Sequence, residues 1–448
     1  MVVTALDEIA WLLNIRSRDI PYSPFVRSYL IVDMFGVMFY VNESQLRKNH
    51  IKKHFEQTRG HTRNTVKIKD YNAICNDLKT FSQVYKKILI PSHYVYSLGA
   101  SRYISNCTNH EKKMLHHQSP IIEMKAKKNP TEIEGMYNAH IRDAAAMCEF
   151  FSYFESRVNA GDHFTELDIV KKLNEFRFEQ KYSLGNSFRT IAAYGSNGAR
   201  PHYEPTPNTN AKISKDKTLV LDSGGQYFGN GTTDVTRTLH LGTPTKEQKN
   251  AYTRVLIGQI QLSTLTFPEN MKTSVADVMA RAPLWEVGLD YSHPTSHGIG
   301  SFLSVHESPI SVYFDDPSFH QKLKPGYFLS NEPGFYKEDD FGIRLENVME
   351  VVEKNLPRVD GISFLGFKVV TLVPYEPKLI DLSLLSFRQR KWLNFYNDQI
   401  RRHVGRELRN QNFINGYNWM MEKTKSIPEY GHGNVVRSYS LFVLSANA

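Results

Sequence analysis

The chain has 448 residues, of which 41% are hydrophobic, 23% charged and 12% aromatic, and its formal net charge is +9. That composition excludes a fibrous or largely disordered chain and suits a soluble enzyme of two domains. No apolar run approaches the ~20 residues that span a bilayer, and the start Met1-Val2-Val3-Thr4-Ala5-Leu6-Asp7-Glu8 lacks the basic region of a secretory signal.

In chain order, Tyr29-Leu30-Ile31-Val32 and Gly36-Val37-Met38-Phe39-Tyr40-Val41 read as the strands of a hairpin, and Ile88-Leu89-Ile90-Pro91 as a further strand end. Residues 1–125 are thus a small α/β unit. Within it, Arg47 to Lys69 holds eight Lys/Arg against one acid, Glu56. Phe55 is the one Phe, Tyr or Trp in it and no nucleic-acid motif accompanies it, so the run is expected to be a solvated face, with no nucleic acid as partner. Cys75, Cys107 and Cys148 are few, odd in number and far apart, which predicts free thiols, a reducing compartment and a cytoplasmic location.

A polar boundary, Lys125 to Pro130, precedes a helix expected to be capped by Thr131 and Glu134. Ile133, Met136, Tyr137, His140, Ala144, Met147, Cys148 and Phe151 give it one apolar face at helical spacing. A second helix begins near Thr165. From Lys217 the pattern changes to strands and Gly-rich turns, then to helices over 245–267 and 274–287, strands over 328–352 and 364–373, and a last helix carrying Trp392, Leu393, Tyr396 and Ile400. A polar stretch, 426–448, reads as a loosely held tail.

Five residues in the second part suggest chemistry. Asp222 ends the apolar strand Thr218-Leu219-Val220-Leu221, and Asp234 opens the alternating strand Asp234 to Leu239. Gly224, Gly225, Gly229, Asn230 and Gly231 lie between them, so the strands can fold back and bring the two carboxylates together. Glu332 precedes the turn signal Pro333-Gly334, and Glu346 sits within Gly342 to Val348, where Arg344, Glu346 and Val348 are expected to share one strand face. Such acids among Ile343, Leu345 and Val348 are costly to bury without a cation. With His297 they form a hard, oxygen-rich donor set suited to two divalent ions: Mn²⁺, Zn²⁺ or Co²⁺. His202, His293 and His306 cluster with these motifs; singly, each is more often structural than catalytic, but His293 and His306 lie within nine residues of His297, on either side, which favours a functional role.

The strings Leu221-Asp222-Ser223-Gly224-Gly225, Gly231-Thr232-Thr233-Asp234-Val235-Thr236-Arg237-Thr238, His297-Gly298-Ile299-Gly300, Val305-His306-Glu307, Glu332-Pro333-Gly334-Phe335-Tyr336 and Gly342-Ile343-Arg344-Leu345-Glu346-Asn347 resemble the signature of the aminopeptidase P family. The resemblance runs from about Val2 to Thr424. It implies an α+β architecture: a pita-bread catalytic domain over 126–425, preceded by a partial creatinase-type α/β domain over 1–125. It also implies hydrolysis of the N-terminal Xaa-Pro bond of peptides at a dinuclear centre, most readily of Mn²⁺, in a homodimer. By motif position the metal ligands are Asp222, Asp234, His297, Glu332 and Glu346, with Asp234 and Glu346 bridging. Glu332 takes up the proton of the attacking water, His306 and His202 hold the substrate carbonyl and the proline side, His293 acts near the departing imide nitrogen, and Arg344 braces the ligand carboxylates.

Pro294 and Ser296 stand where the family has glycines. Members of the cytosolic type carry a further domain ahead of the Ala5 to Leu12 segment, so the chain is expected to be N-terminally short. Two other functions share these ligands or this fold: a prolidase-like dipeptidase, and a non-catalytic pita-bread protein that binds a partner.

Overall fold

The computed structural model describes residues 1–46, 49–58, 65–108, 114–315 and 321–430. Part of the basic run (47, 48 and 59–64) and most of the tail (431–448) lie outside the described residues. The near end of the tail is held: the Arg390 guanidinium donates to the Pro428 carbonyl at 3.1 Å, and the Asn394 amide to the Ile427 carbonyl at 2.9 Å.

The N-terminal part is built on a four-stranded sheet of Val2–Val3, Ser28–Asp33, Gly36–Val41 and Thr65–Asp70, in that order. The expected hairpin is its centre, with Leu30 opposite Phe39 and Ile31 opposite Met38. The last pair is parallel. Ile88–Pro91 pairs in parallel with Met114–His117 in a separate two-stranded sheet. The cysteines depart from expectation. Cys75 and Cys107 form a disulfide, and only Cys148 is a free, buried thiol. Cys75 opens the helix Ile74–Val84 and Cys107 caps the helix Arg102–Asn106; both ends pack into one small core with Ile31, Ile88 and Ile90. Sequence separation carried no information about that proximity, and the bridge removes the cysteine argument for a reducing compartment.

The long helix Pro130–Asn159 starts earlier than expected. Its cap is Asn129, whose side chain accepts from the Glu132 N–H while the Glu132 carboxylate accepts from the Asn129 N–H. Pro130 at the first helical position lacks the N–H that would go unpaired there, so it fits inside the helix. Met136, His140, Ala144, Met147, Cys148 and Phe151 are buried as the spacing required. Phe150, Phe151 and Phe154 on this helix are each worth about 1.5–3 kcal/mol of burial and anchor the largest core, with the helices Glu166–Phe178, Lys246–Ser263 and Phe387–Asn410.

Two sheets carry the acids. In the three-stranded one, Thr218–Ser223 lies between Val235–His240 and Ile191–Tyr194, all antiparallel. The six-stranded one runs Thr266–Pro268, Ile362–Val369, Asn347–Val359, Phe328–Asn331, Ser296–Gly298, Glu307–Val312. No helix among the described residues is long and apolar enough to cross a membrane.

Candidate metal centre

Each acid sits where a strand begins, ends or changes partner. Asp222 lies opposite Thr236 in the ladder, so Asp234, two residues before Thr236, comes to the same end of the pair. Glu332 and Glu346 flank a second pair, whose last rung is Asn331 opposite Asn347. Glu346 does not lie within one continuous strand. Phe341–Arg344 pairs with Gly334–Lys337 in a two-stranded sheet, and Asn347–Val359 belongs to the six-stranded one. Leu345 and Glu346 are the crossing between them, so the expected common face of Arg344, Glu346 and Val348 is broken there. The crossing is fastened by hydrogen bonds from the Glu346 N–H to the Thr236 carbonyl at 3.1 Å and from the Leu345 N–H to the Pro333 carbonyl at 3.2 Å.

The side chains converge. Single ligand atoms of Asp234, His297 and Glu346 all lie within 4.8 Å of one another. His297 Nε2 is 3.4 Å from Asp234 Oδ2 and 3.4 Å from Glu332 Oε1. The other ring nitrogen, Nδ1, is 3.0 Å from the Gly298 carbonyl, which can only accept, so Nδ1 carries the proton and Nε2 offers its lone pair to the acids' side. Asp222 is held by Arg344 Nη2 at 2.6 Å. Thr236 links the sets, its hydroxyl donating to Glu346 Oε2 at 2.9 Å while accepting from Arg344 Nε at 3.2 Å. Ser330 does the same for Glu332, accepting the His297 N–H at 2.9 Å and donating to Glu332 Oε1 at 3.0 Å.

Burial, then the neighbouring Asp222 and Glu332, push the Asp234 carboxyl well above its ordinary range. Burial and Asp234 do the same to Glu346. Burial raises Glu332 against the opposing pull of His297 and Arg344. Burial alone would lower the Arg344 guanidinium, but Tyr336 and Asp222 hold it charged. Four crowded carboxylates with one cationic neighbour need further positive charge. Two oxygens, Asp222 Oδ1 and Glu346 Oε1, are buried with no hydrogen-bond partner. Orphaned acceptors beside a free imidazole lone pair fit a site for divalent cations.

The three further histidines are placed differently. The His306 ring lies 4.2 Å from that of His297. The neighbouring His297 ring, then burial and His202, pull His306 down to about 3, so it is neutral at pH 7. His293 stands behind Arg344: its Nδ1 donates to the Pro294 carbonyl at 2.8 Å, Tyr336 donates to its Nε2 at 2.8 Å, and Arg344 Nη1 donates to Tyr336 at 3.0 Å. Pro294 thus supplies the acceptor that fixes the ring. His202 is exposed on the rim, within electrostatic reach of both.

Sequence reading missed Thr236, Ser330 and Tyr96. Thr236 was reachable, because it alternates with Asp234 along one strand face. Tyr96, stacked on His306 at 5.4 Å, comes from the N-terminal part and carried no motif. Arg237 is fully buried beneath the site, and among the described residues its hydrogen bonds all go to neutral oxygens. It donates to the carbonyls of Thr236 (2.8 Å), Glu346 (2.7 Å), Val373 (2.8 Å) and Pro374 (3.1 Å), to Asn347 and to the Tyr396 hydroxyl (2.9 Å).

Residues 134–353 match the model of metallopeptidase family M24, residues 1–132 the creatinase/prolidase N-terminal domain, and residues 363–427 the C-terminal region of the same peptidase family. The chain is 40% identical to Xaa-Pro aminopeptidase 2 of Sus scrofa, over 95% of this chain and 61% of the relative, so it spans less than two thirds of that protein. It is 39% identical to a probable Xaa-Pro aminopeptidase P of Coprinopsis cinerea, over 95% of this chain and 68% of the relative. Its fold matches that of an X-prolyl aminopeptidase from Caenorhabditis elegans, a cytosolic enzyme with a dinuclear active site, at 34% identity and a TM-score of 0.86, over 95% of this chain and 68% of that one. The expected α+β pita-bread architecture with its creatinase-like N-terminal domain is therefore the fold observed, and the chain belongs to metallopeptidase family M24.

Proposed function

We propose that the chain is a metalloaminopeptidase that hydrolyses the N-terminal Xaa-Pro bond of peptides. The observation that carries this reading is the buried cluster of Asp234, His297 and Glu346, with Asp222 and Glu332 beside it and two carboxylate oxygens left without partners. Asp222, Asp234, His297, Glu332 and Glu346 would hold two divalent ions, Mn²⁺, Zn²⁺ or Co²⁺. When bound, such ions supply Lewis acidity to peptide hydrolysis.

The chain's own residues supply the rest. Glu332, steered by Ser330, takes the proton of the attacking water on a carboxylate oxygen. His306, neutral at pH 7, donates to the scissile carbonyl. His202, on the rim, guides the proline side. His293 stands on the side of the departing imide nitrogen, and its ring also fixes Tyr336 and through it Arg344. Proline makes a dedicated site necessary, because its tertiary amide has no N–H for a general aminopeptidase to grip.

The test is release of the first residue from an Xaa-Pro-Pro peptide, with added Mn²⁺ and with EDTA. Metal-dependent release that spares an Xaa-Ala peptide is expected. Equal cleavage of both, or release that survives EDTA, would overturn the reading. A homodimer in the cytoplasm belongs to the same proposal, and a monomeric mass by light scattering would remove the dimer.

A further inference from the structure

Tyr96 reaches the metal centre from outside the family motifs, on a loop built to deliver it. Tyr94 and Ser97 close a tight turn, exchanging N–H to carbonyl bonds of 2.8 Å in both directions. Val95 between them is left-handed, at φ 51°. A β-branched residue in that region is strained by about 1–3 kcal/mol, and such strain collects at functional sites. The catalytic side grips the loop through Ser308, two residues beyond His306. The Ser308 hydroxyl accepts the Tyr96 N–H at 3.0 Å and donates to the Tyr94 carbonyl at 3.0 Å.

The Tyr96 ring stacks on His306, with centroids 5.4 Å apart and planes 20° apart, and stands edge-on to His297 at 6.2 Å. It remains 37% exposed, and Leu98 nearby is 85% exposed. The accessible surface borders a hollow of about 320 Å³, lined on one side by Tyr96, Leu98 and Ile122 and elsewhere by His306, Asp7 and Glu8. That volume is at the small end of ligand sites; Tyr96 and Leu98 offer an apolar side chain one face, and the rest of the wall is polar and acidic.

We propose that Tyr96 is a specificity-determining residue: with this hollow it forms the subsite for the peptide beyond the proline, and so favours chains of three or more residues over dipeptides. The inference rests on the aminopeptidase reading. Only one residue lies upstream of the bond an aminopeptidase cuts, so a hollow leading outward from His306 serves the downstream side. An aromatic face already ordered by stacking and by Ser308 loses little freedom when an apolar residue packs on it.

The experiment compares kcat/KM for Xaa-Pro-Leu and for Xaa-Pro in the wild type, Tyr96→Ala and Tyr96→Phe, with metal content measured in each. The tripeptide-to-dipeptide ratio is expected to fall about tenfold in Tyr96→Ala and to recover in Tyr96→Phe, at wild-type metal content. An unchanged ratio, or a fall that follows loss of metal, overturns the inference. A wild type that cleaves neither peptide sinks the peptidase reading alone. Calorimetric binding of Pro-Leu to the metal-loaded proteins then decides Tyr96: about tenfold weaker binding by Tyr96→Ala supports the subsite, and equal binding or none in the wild type overturns it.

Discussion

Glu8 offers a prediction in which the sign as well as the size follows from the structure. It lies on the helix Leu6–Leu12, 1% exposed, and accepts a hydrogen bond from the Ser119 hydroxyl. Burial, assisted by Asp7 and opposed by Ser119 and Lys125, raises its carboxyl from 4.5 to about 7. The folded protein therefore keeps a proton on Glu8 that the unfolded chain has released. Stability from this group is complete below pH 4.5 and is lost as pH rises through about 7. At about 1.36 kcal/mol per pK unit, the loss between pH 5 and pH 8 is about 2.5 kcal/mol. Glu8→Gln keeps an acceptor for Ser119 and cannot ionise. Urea denaturation of both proteins at pH 5 and pH 8 is the assay. The stability difference between variant and wild type should shift by about 2.5 kcal/mol in favour of the variant on going to pH 8. A pH-independent difference would refute the argument. So would a variant weakened mainly at pH 8, because it would mean that Glu8 is ionised and held by Lys125.

Three further outcomes are expected. Lys125, fully buried, bonds both Asp7 and Glu307 at 2.9 Å, and Lys128 also binds Glu307. Lys125→Met should therefore cost about 3–5 kcal/mol of stability in denaturant titration, and a cost below about 1 kcal/mol would mean that the charges are solvated. Arg344→Met frees Asp222 from its 2.6 Å bond and should weaken metal binding about 10–100-fold by calorimetry; unaltered affinity would show that Asp222 is positioned without it. The Cys75–Cys107 bridge closes a loop of sequence separation 32. A Cys75→Ala, Cys107→Ala double variant should lose about 3–4 kcal/mol relative to the oxidised protein, and equal stability under oxidising conditions would show that the bridge does not form.

How far the sequence could be read depended on the range of the interaction. The hairpin at Asp222 and Asp234 was legible because strand alternation and turn glycines act within about a dozen residues. The cap at Asn129 was misplaced by two residues because Thr131 and Glu134 have the same chemistry as Asn129 and Glu132, and only packing chooses between two adjacent pairs. Glu346 was drawn into one strand because the run from Gly342 to Val348 gives no sign that the chain changes sheets after Arg344. The reason lies elsewhere: Gly342 faces Gly198, whose carbonyl would stand 1.7 Å from any added Cβ, so a backbone from another segment sits against that strand. Tyr96 and the disulfide were out of reach for the same cause. The bridge is closed by folding of the N-terminal part and Tyr96 meets His306 where that part packs on the catalytic one, and no spacing encodes either encounter.

Arg237 ties distant parts of the gene to one ligand. Its donors reach Thr236 beside it, Glu346 more than a hundred residues on, and Tyr396 in the helix Phe387–Asn410. Because these bonds go to neutral oxygens, they respond to position and not to charge, and a small displacement of the C-terminal helix is felt at the Glu346 backbone. A substitution at Tyr396 would therefore first show itself as poor metal retention in an otherwise folded protein. In a collection of natural variants, the C-terminal helix should be scored together with the ligands it supports, although no residue of it approaches them in sequence.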